Sequence, residues 1–114
     1  MKRFHPLQPH PDAVPPEQVR FLDLLVEPWE DRQRVRVHAR ITPFQKPPNL
    51  EFEIRDANGE MLASAYIVEN IDFDLVITMH LRRLSLQPQQ FTLHANIQYD
   101  EIGLVYEDQI LFSL

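Results

Sequence analysis

A chain of 114 residues has the length of one domain and carries enough apolar residues, 44%, to bury a core without staples. Its 17 acidic against 11 basic residues leave a net charge of −6, which argues against general recognition of nucleic acid or of an anionic membrane. The absence of cysteine excludes disulfides, thiolate catalysis and cysteine-ligated metal centres.

Met1–Pro16 reads as an extended or disordered proline-rich arm. Pro6, Pro9, Pro11, Pro15 and Pro16 remove amide donors and disfavour both helix and ladder. It holds no apolar segment of signal-peptide length, and the longest apolar run in the chain is only a few residues. The expectation is therefore a soluble, cytoplasmic protein. Residues 17–114 read as a single folded domain.

Val19–Glu27 carries both helical spacing (Val19, Leu22, Leu25, Val26) and strand spacing (Val19, Phe21, Asp23). We read it as a strand with a bulge near Leu24, followed by a turn at Pro28-Trp29-Glu30-Asp31. Arg34–Thr42, RVRVHARIT, is strictly alternating: Val35, Val37, Ala39 and Ile41 share one face, and Arg34, Arg36, His38 and Arg40 the other. That is a half-buried strand with a cationic outer face. Pro43–Pro48 ends it and suits a crossover between two sheets. In Leu50–Asp56 the apolar Leu50, Phe52 and Ile54 alternate with Glu51, Glu53 and Arg55. Asn58-Gly59 then predicts a two-residue type I′ hairpin into a return strand, Met61–Glu69. Phe73–Arg82 and Phe91–Tyr99 repeat the alternation, with Phe73, Leu75, Ile77, Met79, Leu81 and Phe91, Leu93, Ala95, Ile97, Tyr99 inward. Asp100–Leu104 is a turn around Gly103, and a final strand runs from about Val105 to Leu114. Seven short strands with one proline-rich crossover predict an all-β, two-sheet antiparallel β-sandwich.

The run VRFLDLLVEPW before RVRVHARIT, the LEFEIRDANGE hairpin, and FTLHANIQY before VYEDQILFSL resemble, in order, the strands of immunoglobulin-like and fibronectin type III sandwiches. The resemblance spans roughly Val19–Leu114 in pattern and departs from the family in lacking a tryptophan on the strand after the crossover. It implies an immunoglobulin-like topology and nothing about activity, because such sandwiches host unrelated functions.

No catalytic motif emerges. Ser64, Ser85 and Ser113 lack a glycine-flanked elbow, and the two isolated glycines make no phosphate-cradling loop. His38, His80 and His94 fall on outward faces without a convergent ligand set, and Glu51/Glu53 and Asp72/Asp74 read as solvated charge. No metal or cofactor is expected. The return strand is apolar on both faces, and Ile102 and Leu104 flank an exposed turn. Leu62, Tyr66, Val68, Ile102 and Leu104 are therefore the partner-binding candidates, with Arg34, Arg36 and Arg40 as electrostatic support. The implied class is a non-enzymatic module that binds protein, most simply a second copy of itself as a homodimer. The alternative is a carbohydrate- or other ligand-binding sandwich.

Overall fold

The computed structural model of the chain describes residues 10–83 and 85–114. It is built from seven strands, β1 Phe21–Pro28, β2 Arg34–Ile41, β3 Asn49–Asp56, β4 Met61–Ile67, β5 Asp74–His80, β6 Gln90–Tyr99 and β7 Gly103–Ser113, preceded by a 3₁₀ turn at Pro16–Gln18. They form two antiparallel sheets, β1-β2-β5 and β4-β3-β6-β7, packed face to face as a β-sandwich. The Pro43–Pro48 crossover carries the chain from one sheet to the other, as its prolines predict.

Alternation sets the two faces. Val35, Val37, Ala39 and Ile41 of β2 are buried, as are Leu50, Phe52 and Ile54 of β3 and Phe91, Leu93, Ala95, Ile97 and Tyr99 of β6. Phe21 spans the layers and touches Phe52 at 6.2 Å and Tyr106 at 6.1 Å between ring centroids. At one end of the sandwich Phe44, fully buried within the crossover, meets Phe73 edge-on at 4.9 Å. Tyr99, 4% exposed, donates its hydroxyl to the carbonyl of Lys46 at 2.8 Å and so ties the end of β6 to the same crossover. Burial, and after it the negative charge of Glu17, pushes the Tyr99 phenol pKa up.

Three local expectations are corrected. The β1 bulge lies between Phe21 and Asp23 rather than near Leu24. The extra residue, Leu22, is exposed, and beyond it Leu24 and Val26 turn inward. The Asn58-Gly59 turn is not type I′, which needs positive φ at both residues. Only Gly59 has it, at 84°. Gly59 N–H donates to the Asp56 carbonyl and Asp56 N–H to the Glu60 carbonyl, both at 3.0 Å, which makes a three-residue loop closed by a left-handed glycine. The Asp56 carboxylate accepts from Asn58 and Glu60 N–H, each at 2.9 Å, and locks that loop.

The longer loop shifts the pairing, so Ile54 faces Ala63 while Arg55 faces Met61, and the intervening Leu62 drops inward. Leu62 is 8% exposed and belongs to the core, not to a surface stripe. Residues 1–9 lie outside the described residues, but from His10 onward the chain is docked. Val14 bridges Phe44, giving its N–H to Pro43 and receiving one from Gln45, both at 3.0 Å, and it packs against the core. His10 meets Phe73 edge-on at 5.6 Å.

Candidate functional site

The outer face of the three-stranded sheet carries the predicted cations in a row along β2. Cross-strand register sets Arg40 between Asp23 and Asp74, His38 between Leu25 and Val76, and Arg36 between Glu27 and Thr78. The charges are largely answered within the molecule. Arg40 Nε donates to Asp23 at 2.8 Å, Arg34 Nε to Asp31 at 2.8 Å, and His38 Nε2 lies 3.0 Å from Glu27. Hydrogen bonds from the Gln33 and Arg34 backbones, with the Arg34 guanidinium, hold the Asp31 carboxyl below the usual carboxylate range. Arg36 makes no ion pair among the described residues. Its guanidinium lies 5.0 Å from the centroid of the Trp29 ring, which Arg34 approaches at 4.0 Å. The result is a charge-paired, open surface, with a shallow hollow between Glu27, Trp29, Asp31, Arg34 and Arg36.

The outer face of the four-stranded sheet is polar. Its rows run Tyr66–Glu51–Asn96–Glu107 and Ser64–Glu53–His94–Gln109 from β4 to β7. Asn96 donates to Glu51 at 3.0 Å and Arg55 to Glu53 at 2.8 Å, so these carboxylates are held in lateral pairs on an open sheet rather than facing each other across a cleft. Among the described residues, no three His, Asp or Glu side chains converge as metal ligands.

Tyr66, Val68, Ile102 and Leu104 are 51%, 62%, 49% and 57% exposed, in contrast with Leu62. The fold does not gather them into one patch. Tyr66 and Val68 lie on or just beyond β4, at one edge of the sheet. Leu104 opposes Gln98 on β7, and Ile102 tips the β6–β7 turn, at the other edge. Two strands, or about 14 Å of sheet, separate the pairs. The Arg34/Arg36/Arg40 face belongs to the opposite sheet. Lys46 pairs with Glu101 at the β6–β7 turn and holds that carboxyl below its ordinary range. Sequence reasoning missed Leu25 and Val76, both exposed and flanking His38. It also missed the Trp29 stack, whose signal was the WEDRQRVR spacing.

No family model matches the chain, and no curated protein does either. Solved structures are similar at the level of fold. One is a β-glucuronidase of Parabacteroides merdae, with TM-score 0.62 and 13% identity over 83% of this chain and 14% of that one. Another is a β-glucuronidase of Ruminococcus gnavus in complex with D-glucaro 1,5-lactone, with TM-score 0.55 and 14% identity over 85% of this chain and 16% of that one. The chain thus spans about a sixth of the length of these enzymes, and what the likeness shows is the two-sheet sandwich itself.

Proposed function

We propose that this chain is a non-enzymatic, immunoglobulin-like interaction module that binds protein, most simply a second copy of itself. The topology reading is supported by the two-sheet antiparallel arrangement of seven strands, three against four. The observation that carries the functional reading is the group of exposed apolar side chains on and around β4, where Met61 (48%) and Tyr66 stand in a strand without a single charge and Val68 follows just beyond it. Soluble sandwiches normally blunt such strands. Among the described residues the other surfaces support it by contrast, since they are shallow, largely charge-paired and without a convergent set of metal ligands.

The carbohydrate-binding alternative draws on the likeness to segments of β-glucuronidases. A sugar platform needs aromatic rings in line on one face. Here Trp29 stacks under two arginines beside the three-stranded sheet and Tyr66 stands on the four-stranded sheet, so the two do not form one. Sedimentation equilibrium tests the choice. A mass that rises with concentration from 13.5 kDa toward twice that value supports the self-assembly reading. A monomer up to ~1 mM, weaker than any specific association of use, together with retention on an immobilised glycan panel, overturns it in favour of the alternative.

A further inference from the structure

The four edge strands are not equally protected. β1 carries Asp23, Glu27, Pro28 and a bulge, and β7 carries Glu107, Asp108 and an irregularity opposite Ile97/Gln98. These are the usual devices against edge-to-edge pairing. β4 and β5 lie side by side on the opposite flank. β5 has Asp74 at its first position and His80 at its last, whereas the run from Met61 to Val68 contains no charge and no proline.

The backbone of β4 can be assigned strand side by strand side. Asp56 N–H bonds to Glu60 and the Pro48 carbonyl accepts from Asn70, so even-numbered residues at both ends of β3 bond toward β4. Antiparallel ladders alternate with period two. Ile54, Phe52 and Leu50 are therefore the hydrogen-bonded partners of Ala63, Ala65 and Ile67. The N–H and C=O of Ser64 and Tyr66 face outward, and no described backbone group meets them. The Leu62 carbonyl also faces outward and accepts from Arg82 N–H at 3.1 Å, which brings Arg82 alongside that end of the edge.

We infer that β4 pairs antiparallel with β4 of a second copy about a two-fold axis through Ala65, which joins the two four-stranded sheets into one of eight. This inference rests on the self-association reading above and names its contact. Three features select a second copy as the occupant. In this register the outward groups of Ser64 meet those of Tyr66 of the other copy, and the reverse, so the free donors and acceptors satisfy one another. Sizes complement as well, with Ser64 against Tyr66 on the outer face and Ala63 against Ile67 on the inner one. Charge complements at the ends. The ladder ends with each Ile67, and the bend that follows, with Glu69 at a φ of 50°, brings Glu69 of one copy toward the end of the other where Met61 and Arg82 lie. Both Glu69 and Arg82 are exposed, and neither has an ion-pair partner among the described residues. The same axis turns β5 toward β5 and closes the groove between β4 and β5, lined by Met61, Leu62, Ala65, Thr78, His80 and Arg82.

The chain has no cysteine, so a single introduced thiol reports the contact cleanly. Ala65 would form a non-hydrogen-bonded pair with its own copy at a Cα separation of about 4.5 Å, within the range a disulfide spans. Ala65→Cys should crosslink to a covalent dimer under mild oxidation, and Gln109→Cys on β7 should not. Should Ala65→Cys fail to fold, the double variant Ser64→Cys/Tyr66→Cys at two exposed positions carries the same test. Ser64→Lys should weaken the dimer by about tenfold or more, as a charge on an edge does, and Arg82→Glu should weaken it until combined with Glu69→Arg. A wild-type dimer that Ala65→Cys and the double variant both fail to crosslink overturns the edge pairing and leaves self-association standing. A wild-type monomer at ~1 mM overturns both.

Discussion

Replacing Tyr99 by Phe removes one hydroxyl and tests the end of the sandwich where the crossover, β6 and the β6–β7 turn meet. That hydroxyl donates to the Lys46 carbonyl at 2.8 Å from a ring that is 4% exposed. A neutral hydrogen bond contributes about 0.5–1.5 kcal/mol net. The crossover is exposed at Lys46, so the freed carbonyl reaches water and the loss should stay near 1 kcal/mol. With an unfolding entropy of about 2.1 cal/mol/K per residue, that lowers the melting temperature by roughly 4 °C. The alkaline limb adds a second readout. The folded phenol ionises above its ordinary pKa of 10.0 because it is buried and faces the charge of Glu17. Above about pH 10 the unfolded chain has released this proton while the folded chain still holds it, so stability falls with pH by up to ~1.4 kcal/mol per unit. The contribution is complete below the unfolded pKa and is lost as pH rises toward the folded one. Tyr99→Phe removes that slope. The wild type should therefore be the more stable protein at pH 7, by about 1 kcal/mol, and the less stable one above roughly pH 11. Urea titrations at a series of pH values measure both limbs. Parallel curves for the two proteins through pH 11 would refute the buried, hydrogen-bonded placement of Tyr99.

Leu62→Ala should cost about 2–4 kcal/mol in urea unfolding, whereas Tyr66→Lys should stay within roughly 0.5 kcal/mol and weaken self-association at moderate salt. Equal and small effects would return Leu62 to the surface. Gly59→Ala should destabilise by about 1–2 kcal/mol for its left-handed φ, with Asn58→Ala near neutral. A large loss at Asn58 would restore the two-residue turn. Phe44→Ala should cost about 3–5 kcal/mol, and removal of the chain through Pro16 about 2 kcal/mol, for the two Val14 backbone bonds and its packing. A melting temperature unchanged by that truncation would show the arm to be dispensable.

How far the fold was legible depended on the range of the signal. The RVRVHARIT alternation placed β2 and its faces because period two is a local property, and β3, β5 and β6 followed by the same logic. The return strand failed at one residue. The three-residue loop closed by Gly59 sets Arg55 opposite Met61, one position off the register that sets Ile54 opposite Ala63, and the residue left over, Leu62, is a bulge that faces inward. Both hairpin forms accept Asn-Gly, so composition could not separate them. The docking of Val14 on Phe44 was invisible for another reason. Each sits in a proline-rich segment without periodicity, and their pairing spans 30 residues of chain. The candidate site was legible as a set of exposed apolar residues, but its division between two edges of one sheet follows from strand order, which no single strand encodes.

The paired arginines bear on what recognises this surface. A row of Arg34, Arg36, His38 and Arg40 on one face looks, in sequence, like a phosphate-binding stripe. In the folded chain Asp23 of β1 answers Arg40 directly across the strand pair, Glu27 of β1 reaches His38 diagonally, and Asp31 of the β1–β2 turn answers Arg34. Each exposed pair contributes little to stability, but together they remove the field that an anionic partner would follow. Of the four, Arg36 alone has no ion pair among the described residues, and it stacks on Trp29. Arg36→Ala should therefore leave self-association unchanged within about twofold if β4 is the contact, since the two lie on opposite sheets. A tenfold loss on that substitution, by contrast, would place the contact on the three-stranded face and make its charge pairs the exchangeable element of the interface.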